Sequence, residues 1–143
     1  MSSARLVEGL PLWQGDKRAA AAADAKELDL VVVAAQELRP VERLIAAFGH
    51  GIAVYDAGID DAKLSAREAR TAEDAAHHVA EALGRGRRVL VACFAGRNRS
   101  GLVSGLVLKR LGYSAGEAIA IIRAARGPDA LSNTSFVKYL EAK

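Results

Sequence analysis

Short continuous apolar runs alternate along the chain with longer stretches of helical spacing. Leu30-Val31-Val32-Val33 lies inside an apolar segment from Leu28 to Ala35. A β-branched run of that kind suits a strand covered on both faces. Gly51 to Asp56 reads as a second strand and Val89 to Ala92 as a third. Leu6 to Gly15, with Pro11 and Trp13 among turn residues, suits an edge strand or hairpin. Between these runs, Asp16 can cap a helix through the alanines to about Lys26. Pro40 fits the first turn of a helix to about Phe48, which Gly49 would stop. Ser65 with Glu68 forms a capping-box pattern that opens an alanine-rich helix to Leu83, and Thr71 with Asp74 marks a possible second start. Further helices are expected from Ser100 to Gly112, from Ser114 to about Arg126, and from the cap Asn133 to Leu140. Strands alternating with helices predict an α/β fold, with a central, mostly parallel sheet flanked by helices.

At 143 residues, 51% of them hydrophobic, the chain suits one domain spanning 1–143. No segment approaches the roughly 18 apolar residues of a membrane span. Met1 to Gly15 lacks the charged start and apolar centre of a signal peptide. The single cysteine excludes an internal disulfide, so a reducing, cytoplasmic location is expected. A net charge of +3 suits an anionic substrate without requiring one. The chain carries no nucleic-acid-binding motif, and a monomer is expected.

The chemistry concentrates between the strand at Val89 and the helix at Ser100, in the loop Cys93-Phe94-Ala95-Gly96-Arg97-Asn98-Arg99. A strand that turns sharply into a helix aims several backbone N–H groups, and the positive end of the helix dipole, at one point. Such a point binds anions before any side chain is counted. A thiol attacks only as the thiolate, a form that these N–H groups favour at Cys93. Gly96 lets the backbone approach a phosphate with no Cβ in the way. Arg99 offers a planar fork matched to two phosphoryl oxygens. Ser100 can donate its hydroxyl to the sulfur and ease its departure. Phe94, Ala95, Gly96, Arg97 and Asn98 would line the anion site, with Arg97 and Asn98 shaping specificity at its rim.

The pattern Cys93-x-x-Gly96-x-x-Arg99-Ser100 resembles the signature loop of the cysteine-dependent protein tyrosine phosphatase superfamily. Chain size and element order look most like its compact dual-specificity group. Resemblance is strongest over about residues 52 to 111. It implies a phosphomonoester hydrolase working through a cysteinyl-phosphate, without cofactor or metal, on a phosphorylated protein or another anionic phosphomonoester. The family's general acid lies on a loop some 30 to 40 residues before the cysteine, where Asp60 and Asp61 stand. Aligning Gly58 with the family's loop proline places the acid at Asp61, with Asp60 as the rival. Two positions depart from the family: Gly58 is not proline, and Ala92 replaces the histidine that usually precedes the cysteine.

Those departures motivate a different class of function, a phosphate-binding module with little turnover. In the resembled family, members with a basic residue at the place of Arg97 include lipid-directed ones, and members with Asn before the arginine include RNA 5′-triphosphatases. The resemblance therefore also implies phosphoinositides or RNA 5′-phosphates as other substrates. Arsenate reduction or sulfur transfer is disfavoured, because Cys93 has no second cysteine to resolve an intermediate. His77 and His78 lie within a predicted helix without a third ligand, which suits a surface role, and His50 sits in a turn. Arg123 and Arg126, near a helix end, read as solvated charges that could also face the anion site. Asn133 reads as a cap that could brace the same side.

Overall fold

The computed structural model describes residues 1–45 and 51–143. Five strands form one sheet: β1 (Ser3–Arg5), β2 (Leu12–Gly15), β3 (Leu30–Ala35), β4 (Ala53–Ile59) and β5 (Val89–Ala92), in the spatial order β1-β2-β5-β3-β4. Only β1 runs antiparallel; β2, β3, β4 and β5 are parallel to one another. The helices are α1 (Lys17–Ala21), α2 (Val41–Ile45), α3 (Ala66–Gly84), α4 (Arg99–Arg110), α5 (Ala115–Arg126) and α6 (Thr134–Ala142), with a 3₁₀ turn at Gln36–Leu38. The α/β architecture and its mostly parallel sheet are as the alternating pattern predicts.

Side-chain alternation along the two central strands assigns the layers. Val32 and Ala34 of β3, with Val89 and Val91 of β5, pack in a large core with buried residues of α3, α4, α5 and α6. Val31, Val33, Leu90 and Ala92 face the other way, into a smaller core with Ala20, Ala23 and Val41. All six residues of β3 and all four of β5 are buried, the property of strands covered on both faces. α4 lies against the larger core with residues 99–108 all buried. Gly105 lets it approach α6, since a Cβ there would sit 2.9 Å from Cδ1 of Leu140.

Several element boundaries differ from the sequence expectations. A hairpin forms but begins before Leu6, with β1 (Ser3–Arg5) as its edge strand, while β2 pairs in parallel with β5 and lies inside the sheet. Asp16 caps α1 through the N–H groups of Arg18 and Ala19. That helix stops at Ala21 rather than Lys26 because Asp24 builds a turn of its own, accepting from Lys26 N–H through its side chain and from Glu27 and Leu28 through its carbonyl. β4 continues to Ile59, past the expected end at Asp56, through a register shift opposite Val33–Ala35. α3 runs unbroken across Thr71, whose hydroxyl donates to the carbonyl of Arg67 at 3.2 Å inside the helix. Both capping boxes, Ser65 with Glu68 and Ser114 with Glu117, are formed. The expected end of the Pro40 helix at Phe48 and Gly49, and His50, lie outside the described residues.

The parallel strands end together. Beyond the C-terminal ends of β2, β3, β4 and β5 stand Asp16, Glu37, Asp60-Asp61 and Cys93. In open α/β sheets this edge is where ligands bind.

Candidate active site

Cys93 follows β5 and continues its alternation, so it packs with Val89 and Val91 toward α4 and is only 2% exposed. Its N–H donates to the Gly15 carbonyl at 3.2 Å, which extends the β2–β5 pairing by one bond beyond the strand. The thiol sulfur lies 3.2 Å from Oγ of Ser100, itself fully buried in the first turn of α4.

From Phe94 onward every loop carbonyl is bonded on the outside of the turn. Phe94 O accepts from Lys17 N–H at 3.2 Å, and Arg97 O accepts from Leu131 N–H at 3.2 Å. Ala95 O accepts from Nη2 of Arg126 at 3.4 Å. Gly96 O accepts twice, from Nε2 of Gln14 at 3.1 Å and Nε of Arg126 at 3.0 Å. Asn98 O accepts from Leu102 N–H within α4. In a trans peptide the N–H points opposite to the carbonyl before it. The N–H groups of Ala95, Gly96, Arg97 and Asn98 are therefore turned inward, and none meets an acceptor among the described residues. Asn98, at the N-cap position of α4, makes no side-chain bond to the first-turn amides. This leaves a concave set of free donors at a helix N-terminus. Gly96 is required by this path. Its φ is +71°, and a Cβ would come within 2.6 Å of the Gly15 carbonyl carbon.

Arg99 begins α4 with a side chain only 7% exposed. Its guanidinium is held by both oxygens of Glu37, at 2.5 and 2.7 Å, and donates to the Ile59 carbonyl at 3.1 Å. The pairing raises the pKa of Arg99, chiefly through the hydrogen bonds it donates to Glu37, and holds the Glu37 carboxyl below its ordinary value. The fork therefore has a fixed charge and a fixed plane.

Asp61 lies across from the loop. Its Oδ1 accepts from Nδ2 of Asn133 at 2.8 Å, and its Oδ2 from Nδ2 of Asn98 at 3.1 Å. Asn98 also bonds Ser132 and accepts from Asn133 N–H, so the signature loop, the acidic loop and the start of α6 are joined through one side chain. Asp60 donates its N–H to Glu68 of α3 at 2.8 Å, and among the described residues its carboxylate makes no hydrogen bond to the loop. Of the two acids, Asp61 is the one bonded to the loop. Asn133 both caps α6, through Ser135 and Phe136, and donates to the Ala62 carbonyl.

Arg97 extends an exposed side chain at the rim. Phe94 is 43% exposed, and the Lys17 ammonium stands 4.0 Å over its ring. Phe94 thus stands at the surface of the site rather than packed beneath the loop. Arg123 is exposed and donates to the carbonyls of Ala130 and Leu131, whereas the partly buried Arg126 holds the signature loop, so of the two it is Arg126 that reaches the anion site. His77 pairs with Glu81 on the surface of α3, and His78 stacks on Tyr55.

No protein-family model matches the chain, and no curated protein matches it by sequence. Solved structures do. Tk-PTP in its active form is 23% identical, with a TM-score of 0.77 over 99% of this chain and 97% of that one. A mutant form of the same protein is 25% identical, with a TM-score of 0.75 over 98% and 95%. Human DUSP28 is 22% identical, with a TM-score of 0.79 over 99% and 94%. The chain has the dual-specificity phosphatase fold.

Both departures from the phosphatase pattern have local causes. Ala92, where that group has histidine, points into the smaller core with Ala20, Val31 and Val33 and is fully buried. Gly58 lies under Arg39, and a Cβ there would be 2.8 Å from the guanidinium. Arg39 in turn bonds Asp56 at 2.8 Å and the Gly58 carbonyl at 3.3 Å, fixing the last turn of β4 before the acidic loop. A proline ring would displace that arginine. Glu37 and Gln14 were not singled out as site residues from the sequence. Glu37 gave no signal beyond its place two residues after β3, whereas Gln14 was visible as a polar residue in the apolar run Leu12-Trp13-Gln14-Gly15.

Proposed function

We propose that residues 1–143 act as one catalytic domain, a cysteine-dependent phosphomonoester hydrolase of the dual-specificity type. The observation that carries this is the convergence of the Cys93 sulfur, inward-turned loop amides and a charge-locked Arg99 at the C-terminal edge of a parallel sheet. In this reading Cys93 attacks phosphorus as the thiolate. The loop amides and Arg99 hold the equatorial oxygens as the S–P bond forms and the P–O bond to the leaving group breaks. Asp61 gives its proton to the departing alcohol or phenol. Asp61 then takes a proton from a water that attacks the cysteinyl-phosphate, and the sulfur leaves as thiolate, steadied by the Ser100 hydroxyl. Inorganic phosphate departs. The chemistry calls for no metal or cofactor.

The substrate class is a phosphorylated protein or another anionic phosphomonoester. The short loops around Cys93 suit a shallow pocket, open to phosphoserine and phosphothreonine as well as phosphotyrosine. A reducing cytoplasm suits a nucleophile that has no second cysteine to protect it, and the protein is taken to work there as a monomer. No helix among the described residues is long and apolar enough to cross a membrane.

Hydrolysis of a small aryl phosphate in the presence of chelator tests the reading. Wild-type protein is expected to turn over, and Cys93→Ser to be inert while still binding phosphate. Turnover that survives Cys93→Ser would exclude this chemistry. Phosphopeptide binding without hydrolysis by the wild type would favour a binding module instead. Phosphopeptides, phosphoinositides and RNA 5′ ends supplied as a panel would then rank the substrates.

A further inference from the structure

Gln14 is fully buried at the end of β2, in a strand whose other role is to pair with β5. Its Nε2 spans 82 positions of sequence to reach the Gly96 carbonyl at 3.1 Å. Its Oε1 is buried and has no hydrogen-bond partner. A lone unpaired acceptor in a core is unfavourable, and an apolar side chain of the same volume would not carry that cost. Gln14 is therefore poorly explained as a stabilising residue. Its one satisfied bond goes to the centre of the anion loop.

That carbonyl has two donors on it, and both come from outside the loop: Gln14 from β2 and Arg126 from the end of α5, at 3.0 Å. Together they pull the Gly96 carbonyl toward the body of the protein. Because the peptide is planar and trans, the same pull aims the Arg97 N–H in the opposite direction, into the anion cradle. Glycine at 96, with φ of +71°, sets no steric limit of its own on the orientation of that peptide, so the outside donors must.

We propose that Gln14 is a positioning residue for the phosphate-binding loop: with Arg126 it fixes the Gly96–Arg97 peptide so that the Arg97 N–H is aimed at the oxyanion before substrate arrives. Donors already oriented need no rearrangement when charge develops in the transition state. The inference rests on the phosphatase reading above.

Gln14→Met keeps the volume and removes the donor. Its melting temperature should equal or exceed that of the wild type, because the orphaned acceptor is gone. Its dissociation constant for inorganic phosphate, measured by calorimetry, should rise about tenfold. Its kcat on an aryl phosphate should fall by about tenfold or more, below the hundredfold or greater loss seen when an oxyanion donor is deleted outright. Arg126→Met, acting on the same carbonyl from a helix end, should weaken phosphate binding in the same sense and carry the test if Gln14→Met does not fold. The double variant should lose more than the product of the single losses, since each single variant keeps one of the two donors and so part of the hold on the peptide. Unchanged phosphate affinity and kcat in Gln14→Met, with a lowered melting temperature, would reduce Gln14 to a packing residue. A wild type that neither binds phosphate nor hydrolyses the ester would overturn the phosphatase reading itself, a result separable from failure of Gln14 alone.

Discussion

Both carboxylate oxygens of Glu37 close on the guanidinium of Arg99, from a turn that follows β3 onto the first residue of α4. Nothing beside Glu37 in the sequence marks it as functional, and it reaches Arg99 across 62 positions of chain. The pair neutralises part of the charge that a bound phosphate would share, and in return fixes the plane of the fork.

Glu37→Gln should therefore lower kcat/KM by about tenfold, with most of the loss in kcat. Hydrogen bonds to charged groups contribute about 1.5–3 kcal/mol, and roughly half of that is discounted here because the Glu37 side chain is 46% exposed. Steady-state kinetics on one aryl phosphate check this. A change confined to KM would place Glu37 in substrate binding instead.

Asp61→Asn should separate substrates by leaving group. An alkyl phosphate, whose oxygen must be protonated as it leaves, should slow by about 10²–10⁴-fold. An ester of an acidic phenol, which leaves as the anion, should lose much less. Asp60→Asn should match the wild type on both, because Asp60 is bonded toward α3 through its N–H. Equal effects of Asp60→Asn and Asp61→Asn would remove the acid assignment.

Gly96→Ala should fold and fail to bind phosphate. The added methyl would meet the Gly15 carbonyl carbon at 2.6 Å and Nη2 of Arg126 at 2.7 Å, in a left-handed conformation that alanine resists. The cost in stability is about 1–3 kcal/mol. The expected fall in kcat/KM is at least about a hundredfold, as for loss of an oxyanion donor. Calorimetry with inorganic phosphate and a melting curve on the same sample distinguish the two effects.

Acid stability has a defined window. Hydrogen bonds from Arg88 bring the Asp29 carboxyl from 3.8 down to about 2, and Arg99 lowers Glu37 from 4.5. Glu68, Glu73 and Glu117 are lowered in the same direction. A carboxyl lowered by folding contributes stability that is full above its unfolded value and is lost as pH falls through the folded one. The melting temperature should hold down to about pH 5 and drop below about pH 4.5. The gap between wild type and Asp29→Asn should shrink from about pH 4 and close near pH 2. A gap that widens toward acid would contradict the Asp29–Arg88 pairing.

The loop at the heart of the site was legible because the pattern changes abruptly there, from a continuous apolar strand to helical spacing, with glycine and arginine at fixed distances between. Capping boxes at Ser65 and Ser114 marked helix starts for the same local reason. What could not be read depends on partners distant in sequence. Gly58 reads as a loop residue until Arg39 is seen lying over it within a strand. Arg126 reads as a solvated charge until the Gly96 carbonyl is brought beside it, and nothing local to Glu37 announces that the fold will set it against Arg99. Gln14 gave a local hint, a polar residue among apolar neighbours, but its target lies across the β2–β5 pairing.

Holding the phosphate loop from Gln14 on one side and Arg126 on the other has a consequence for how the protein fails. Nearly the whole chain lies between those two residues, while the elements that carry them, the first hairpin and α5, sit at opposite ends of it. Loosening either flank on gentle heating would remove one of the two donors on the Gly96 carbonyl and slacken the loop while α3 and α4 remain folded. Inactivation should thus precede the loss of helix, and the catalytic rate becomes a gauge of whether both flanks are still docked.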